Sequence, residues 1–267
     1  MPKDCTLLHD GLVLNYKLWE GAGPTLIILH GLGSGGRQFE DDAAVYAAAG
    51  YRVIVPDLRA HGQSEAPTPM TPGAMHVSVM AEDILALMAD LQLPAAHFIG
   101  NSMGGVVALA IIKKSPESVL SLATFGTTYD LSFPAIVPFI QALTGRLMGS
   151  KRLAKVTAKT VTKHDRTRDL ILEIYPDLDI GMVHAVQKTL RKYDYIETAK
   201  SFAGPITILR GDGDTAINKE LPRTLSALQS LDNVTVSDVT DAGHFTNTDQ
   251  PERVQGLILD HLSGASA

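Results

Sequence analysis

The stretch Ala96-His97-Phe98-Ile99-Gly100-Asn101-Ser102-Met103-Gly104-Gly105 decides how the chain is read. An apolar run, Ala96–Asn101, leads into a G-x-S-x-G turn at Gly100–Gly104, and an apolar segment, Met103–Lys114, leads away. The pattern predicts a strand, a sharp turn and a helix. Small residues let strand and helix approach across the turn, and Ser102 projects its hydroxyl from the bend. The positive end of the helix lies next to that hydroxyl. The Met103 amide then faces any negative charge developing there. The alternative is an ordinary turn with a capping serine.

Similar apolar runs recur on both sides. Leu12–Trp19, Thr25–His30, Tyr51–Pro56, Val119–Phe125, Pro205–Arg210 and Val234–Val239 read as strands, and Cys5–Asp10 as an antiparallel edge. Near-continuous apolar runs suit parallel strands covered on both faces. Phe39–Ala49, Met75–Leu91 and Gln250–Leu262 read as helices between and after them. Lys113 and Lys114 complement the end of the Met103–Lys114 helix, and Ser115-Pro116 stops it. Alternation of this kind predicts a three-layer α/β fold. The rhythm breaks from Tyr129 to Phe202. Pro134–Leu147, Ser150–Val161, Arg166–Tyr175 and Gly181–Thr189 read as helices there, with no strand pair. That segment is expected to be an inserted helical cap. It divides the chain into a first core part (1–128), the cap (129–202) and a second core part (203–267).

A length of 267 residues suits one large domain or a core with one insertion. Hydrophobic residues at 45% against 19% charged exclude general disorder. A net charge of -6 argues against a nucleic-acid partner. Cys5 is the only cysteine, which excludes an internal disulfide and a cysteine-cluster metal site. The apolar runs are too short to span a bilayer, and Met1–Leu8 lacks the apolar core of a secretory signal. A soluble cytoplasmic protein without a membrane partner is expected. One local exception is Arg146–Arg168, with eight basic residues and a single acid, Asp165. A solvated helix face is its first reading. A positive roof over an anionic substrate is the sharper one, and a membrane-surface role the third.

Ser102 is a weak nucleophile without a base and a partner that orients the base. Two loops that follow apolar strands offer them, where open α/β sheets gather their chemistry. They are Gly211-Asp212-Gly213-Asp214 and Asp241-Ala242-Gly243-His244-Phe245. His244 is the candidate base, because its loop position argues against a packed core histidine. Asp214 is the candidate acid. Asp212 is the alternative, with a turn hydrogen bond as its other duty. Asp241 stands too close to His244 in the chain to be favoured.

The loop His30-Gly31-Leu32-Gly33-Ser34-Gly35-Gly36 follows another strand and holds a literal G-x-G-x-x-G match at Gly31, Gly33 and Gly36. Asp57 lies about 20 residues further on, as a dinucleotide site requires. A phosphate P-loop is disfavoured, because no Gly-Lys-Ser or Gly-Lys-Thr follows the glycines. The dinucleotide reading leaves Ser102, Asp214 and His244 without a purpose. An acyl-transfer site uses the same loop to aim a second backbone donor, the Leu32 amide, at an oxyanion. A purely structural turn is the remaining alternative. In Asp57–Ser64, Asp57 is expected to organise the turn and Arg59 to form an ion pair.

The assembled pattern resembles the α/β-hydrolase superfamily, and within it the small serine esterases, enol-lactonases and cofactor-free haloperoxidase-like members. The resemblance runs from His30-Gly31 through Asp57–Ser64 and the Ser102 elbow to Asp214 and His244. It implies a mostly parallel eight-stranded sheet flanked by helices, with a helical cap after the sixth strand. It also selects Asp214, the end of a G-x-x-D motif, over Asp212. Two positions depart from the family pattern: Ala60 stands where a Gly is common, and Asn218 where a Pro is common. Ser102 disfavours the branches with an aspartate nucleophile, the epoxide hydrolases and haloalkane dehalogenases.

The implied activity is hydrolysis of a small carboxylic ester or lactone through an acyl-enzyme, with no metal or organic cofactor. Carbon–carbon bond hydrolysis and perhydrolysis use the same triad and are the enzymatic alternatives. A small-ligand receptor or signalling protein is the non-enzymatic one. Phe133, Ile136, Phe139, Ile140, Met182 and Val183 of the cap are pocket candidates, as are Phe125, Thr127 and Phe245 near the sheet end. An ordinary core role is the competing reading for the cap residues. A carboxylate-bearing substrate would suit a basic cap segment that faced inward.

Overall fold

The computed structural model describes residues 1–175 and 178–265. Eight strands make the main sheet: β1 (Lys3–His9), β2 (Leu12–Trp19), β3 (Thr25–Leu29), β4 (Arg52–Pro56), β5 (Ala96–Asn101), β6 (Val119–Phe125), β9 (Ile206–Gly211) and β10 (Val234–Val239). Their spatial order is β1-β2-β4-β3-β5-β6-β9-β10. β1 and β2 are antiparallel to their neighbours, and the remaining pairings are parallel.

Strand alternation produces the layers. In β3, Ile27 and Leu29 join the core on one face, while Leu26 and Ile28 join the core on the other. The first face is covered by α2 (Val77–Asp90) and α3 (Met103–Lys114), packed on Phe98, Leu122, Ile206 and Ile208. The second is covered by α1 (Glu40–Ala48) and α12 (Pro251–Gly264), packed on Val53, Ala123 and Leu209. Every residue of α3 from Met103 to Ile112 is buried, as expected for a helix lying across a sheet centre. The expected eight-stranded, mostly parallel sheet with helices on both faces is thus observed.

Between β6 and β9 come α4 (Ile136–Met148), α5 (Ser150–Val161), α6 (Asp165–Ile174), α7 (Ile180–Leu190) and α8 (Ile196–Ser201). The first four occupy the places the sequence predicted. The expectation of no strand pair in this segment is corrected. β7 (Asp130–Ser132) and β8 (Lys192–Asp194) pair antiparallel and bracket the first four helices, α4 to α7. Arg223, in α10 (Pro222–Leu228), donates to Asp130 and Asp194 at 2.6 and 2.8 Å and ties the pair down. Two further short helices, α9 (Thr215–Glu220) and α11 (Thr246–Asp249), follow β9 and β10.

Ala154 and Ala158 of α5, Ile171 of α6, Tyr175 and Phe245 form a small core of their own. Lys151, Arg152, Lys155 and Lys159 lie on the exposed side of α5, turned from Ala154 and Ala158. Further along the run, Lys163 pairs with Asp241, Arg166 with Asp41 and Arg168 with Asp165. The described basic side chains from Lys151 onward are therefore solvated or paired at the surface, and those of α5 form no inward roof over a substrate.

Asp57 organises its turn as expected, accepting from the Gly36 amide at 2.7 Å and the Gln63 amide at 2.9 Å. Arg59 forms a bidentate pair with Asp83, 2.6 Å at each contact, with both side chains 2% exposed. Its remaining arm donates to the Ala74 carbonyl at 2.8 Å. Ala60 follows at φ 61°. That left-handed conformation costs an L-residue roughly 1–2 kcal/mol, which explains why related turns favour Gly here. Ala60→Gly should raise stability by up to about 1 kcal/mol, because the greater freedom of glycine in the unfolded chain offsets part of the relief. The midpoint of urea unfolding reads this change.

Candidate active site

β5 ends at Asn101 and α3 begins at Met103, so Ser102 alone makes the turn. Its backbone sits at φ 53°, ψ -118°. This is strained for any residue with a Cβ, and such strain persists only where the surroundings enforce it. They do so by close approach. A Cβ on Gly104 would collide with the Leu29 carbonyl, and one on Gly100 with the Gly105 backbone. The Ser102 amide donates to the Phe125 carbonyl at 3.0 Å, which fastens the elbow to the end of β6. Met103 is the first residue of α3, so its amide has no acceptor within the helix.

The glycine loop lies against this elbow: a Cβ on Gly31 would come within 3.3 Å of Ser102 Cβ. Its position is held by His30. Nδ1 of His30 donates to the Gly31 carbonyl at 2.8 Å, and Nε2 accepts from the Leu58 amide at 3.0 Å. That arrangement needs a neutral ring. Complete burial agrees with it and pushes His30 down to about 4. The neighbouring His61 is pushed down to about 3, first by burial and then by His30, whose ring centre is 5.0 Å away. Leu32, expected to supply an oxyanion donor, is half-buried, and its carbonyl accepts from the Tyr175 hydroxyl at 3.3 Å. Burial raises the Tyr175 phenol to about 12, so it stays a donor.

His244 Nδ1 lies 2.7 Å from Asp214 Oδ2. The other Asp214 oxygen accepts from the Ile217 amide at 3.3 Å, because Asp214 caps α9. The two rival acids are used elsewhere. Asp212 accepts from the Ala242 amide at 3.3 Å, and Asp241 pairs with Lys163 at the surface. The His244 backbone is clamped from three sides. Its amide donates to the Val161 carbonyl at 3.0 Å, and its carbonyl accepts from Asn101 Nδ2 at 3.2 Å. The preceding Gly243 amide donates to Asp249 at 2.7 Å, and Asp249 also accepts from Thr162 at 2.6 Å. Asn101, Gln38, Asp249 and Thr162 were not singled out from the sequence. Asn101 joins the elbow, the His244 loop and Gln38, whose side chain donates to it at 3.1 Å. A polar residue closing an otherwise apolar strand was the one available signal.

The pocket candidates scatter. Thr127 donates to the Ser102 and Phe125 carbonyls at 3.1 and 3.0 Å and braces the elbow. Phe125 points into the core with Phe39, and Phe245 into the cluster of α5 and α6, its ring 6.1 Å from that of His244. Met182 is buried, and Val183 packs beside it against the main core. Phe133, Ile136 and Ile140 are exposed. The side chain of Phe139 lies outside the described residues. A cavity of about 480 Å³ opens beside Gly33–Gly36, with Lys17, Arg37, Glu173, Leu178 and Met182 among its walls. Ser102, Asp214 and His244 do not line it. The Asp57 carboxylate, required for a ribose in the dinucleotide reading, is engaged by two backbone amides of its own chain.

A family model described as the alpha/beta hydrolase fold matches residues 24–251, and the chain belongs to the α/β-hydrolase family. A relative named the magnesium-chelatase 30 kDa subunit, from Rhodobacter capsulatus, is 29% identical over 258 residues, covering 91% of this chain and 88% of that one. The enol-lactonase of Burkholderia xenovorans LB400 superposes with a TM-score of 0.85 at 21% identity, covering 97% of this chain and 100% of the other. An esterase of Thermogutta terrifontis gives a TM-score of 0.86 at 22% identity, with coverages of 99% and 100%.

The two buried histidines make stability pH-dependent. The unfolded chain takes up protons on both near pH 6.5, whereas the folded chain resists until about 4 and 3. Their contribution is therefore complete above pH 6.5 and is lost as pH falls through those values, on the order of 3 kcal/mol for His30 alone. Thermal unfolding followed from pH 7.5 to pH 4 should show this loss. His61→Phe should make it shallower, since it removes one of the two buried titrating rings, at the cost of the hydrogen bond that His61 Nδ1 donates to the Arg59 carbonyl at 2.9 Å.

Proposed function

We propose that the protein is a serine hydrolase acting on small carboxylic esters or lactones. The observation that carries this reading is the His244–Asp214 contact of 2.7 Å, in a loop tied through Asn101 to the strained Ser102 elbow. With Nδ1–H donated to Asp214, the imidazole keeps Nε2 as an acceptor, the tautomer a general base needs. Ser102 Oγ attacks the carbonyl carbon and passes its proton to His244. Asp214 stabilises the imidazolium. The Leu32 and Met103 amides receive the oxyanion. His244 then protonates the leaving oxygen, and the acyl group remains on Ser102. Water, deprotonated by His244, releases the acid and restores the serine. For a lactone, both ends of the product stay on one molecule.

The fold likeness to an enol-lactonase and an esterase supports the substrate class. The Rhodobacter relative, named as a subunit of a chelatase, supports a second reading in which the chain has an accessory binding role. Turnover separates the two. With p-nitrophenyl butyrate and a small lactone as probes, Ser102→Ala should abolish hydrolysis. Asp214→Asn should lower kcat on the order of 10⁴-fold, the loss that a wrong imidazole tautomer causes in such triads. Asp212→Asn should stay within about tenfold of the parent, because its duty is a turn. Equal losses in the two aspartate variants would contradict the assignment of the acid.

A further inference from the structure

Gln38 is the meeting point of a buried chain of amides that the proposed mechanism does not use. It lies in the single helical turn Gly36–Phe39, between the glycine loop and α1. Its Nε2 donates both hydrogens, to Asn101 Oδ1 at 3.1 Å and to Asn247 Oδ1 at 3.2 Å. Its Oε1 accepts from the Ser34 hydroxyl at 2.9 Å. Asn247 in turn donates to Asp42 of α1 at 2.7 Å, and Gln255 of α12 donates to the other oxygen of that carboxylate at 2.8 Å. Ser34, Gln38, Asp42, Asn101 and Asn247 are all buried, none more than 4% exposed.

The two ends of the chain decide how every amide in it is turned. At one end stand the carbonyls of Phe125 and His244, which only accept, so Asn101 gives them its Nδ2 and turns Oδ1 to Gln38. At the other stands the Asp42 carboxylate, whose two oxygens both meet N–H donors. Asn247 therefore gives it Nδ2 and keeps Oδ1 for Gln38. Gln38 meets both demands with one NH2 group and leaves its oxygen to Ser34. Turning any one amide over would place oxygen against oxygen or leave a buried donor unpaired, which is costly away from water. A buried network satisfied in one arrangement holds its members in place.

It joins three segments from distant parts of the chain. Ser34 belongs to the glycine loop that carries Leu32, and Asn101 to the Ser102 elbow. Asn247 lies in α11, three residues after His244. We propose that Gln38 is a positioning residue that sets the mutual placement of the oxyanion loop, the nucleophile elbow and the His244 loop. Its side-chain hydrogen bonds go to Asn101, Asn247 and Ser34, not to the side chains of Ser102, His244 or Asp214. The catalytic consequence rests on the serine-hydrolase reading above, whereas the placement itself does not.

The test compares Gln38→Met, which keeps the side-chain length and removes all three hydrogen bonds, with Ser34→Ala, which removes one. Thr207→Val is the control for a lost buried hydrogen bond: Thr207 pairs with His261 at 2.9 Å near the start of β9, away from the site. Measurements are made at pH 8, where Asp42, raised by burial to about 6, is ionised. With p-nitrophenyl butyrate, Gln38→Met should lower kcat on the order of 10²-fold with KM unchanged, the signature of misplaced catalytic groups. Ser34→Ala should lower kcat on the order of tenfold, through the oxyanion loop alone. Thr207→Val should leave both constants unchanged while its urea midpoint falls. Amide hydrogen exchange, read by mass spectrometry, needs no turnover. Gln38→Met should lose protection at both Gly31–Gly36 and Gly243–Asn247, Ser34→Ala at the first alone, and Thr207→Val at neither. The proposal is overturned if kcat of Gln38→Met matches that of Thr207→Val, if KM rises while kcat holds, or if protection is lost evenly across the sheet. A parent that turned over no ester or lactone would remove the hydrolase reading, and the exchange pattern would then decide the placement by itself. Ser34→Ala carries the same decision should Gln38→Met fail to fold.

Discussion

Ser102 is held at φ 53°, a conformation that costs a residue with a side chain about 1–3 kcal/mol. The strain survives because the chain has nowhere else to go. α3 starts immediately after the serine and lies so close to β3 that Gly104 has no room for a side chain beside the Leu29 carbonyl. Release of the elbow would lift α3 from the sheet, and with it a helix buried continuously from Met103 to Ile112. Burial of that many apolar side chains outweighs the local strain several times over. The core therefore supplies the free energy that presents one hydroxyl at the end of a strand.

The rest of the site follows from parallel strands held in register. Asn101 at the end of β5 lies opposite Phe125 at the end of β6, Phe125 lies opposite Leu209, and Gly211 lies opposite Val239. The loops that leave these strands therefore emerge along one edge of the sheet. One carries Ser102, one Asp214 and one His244. Asn101 adds the cross-link, with its amide donating to the Phe125 and His244 carbonyls. The helical segment completes the clamp from outside, through the Val161 carbonyl and the Thr162 hydroxyl. The elbow and the helix end thus fix the backbone at His244, and Asp214 holds its ring.

The legible features were those written in short, contiguous patterns. β3 and β5 are unbroken apolar runs, and the Gly100–Gly104 turn names its own geometry. His244 was legible as a loop histidine after a strand. The residues alone did not decide between Asp214 and Asp212, two positions apart on one loop; the family resemblance did. Their different hydrogen bonds depend on which way each side chain leaves that loop. β7 and β8 escaped because three-residue strands are too short to show alternation. The exposure of Ile136 and Ile140 was hidden for the opposite reason. Their helical spacing is the usual mark of a buried face, and a sequence does not say which side of a helix its neighbours occupy. Asn101 was hidden because its importance lies in partners distant in the chain, Gln38 and His244.

The most direct test of the account is the site of reaction with an active-site-directed fluorophosphonate, mapped by intact and peptide mass spectrometry on the parent, Ser102→Ala and His244→Ala proteins. A single adduct on Ser102, absent from Ser102→Ala and much slower in His244→Ala, is the predicted result. An adduct on a different serine, or none on a protein shown to be folded, would contradict the claim that this elbow presents an activated nucleophile.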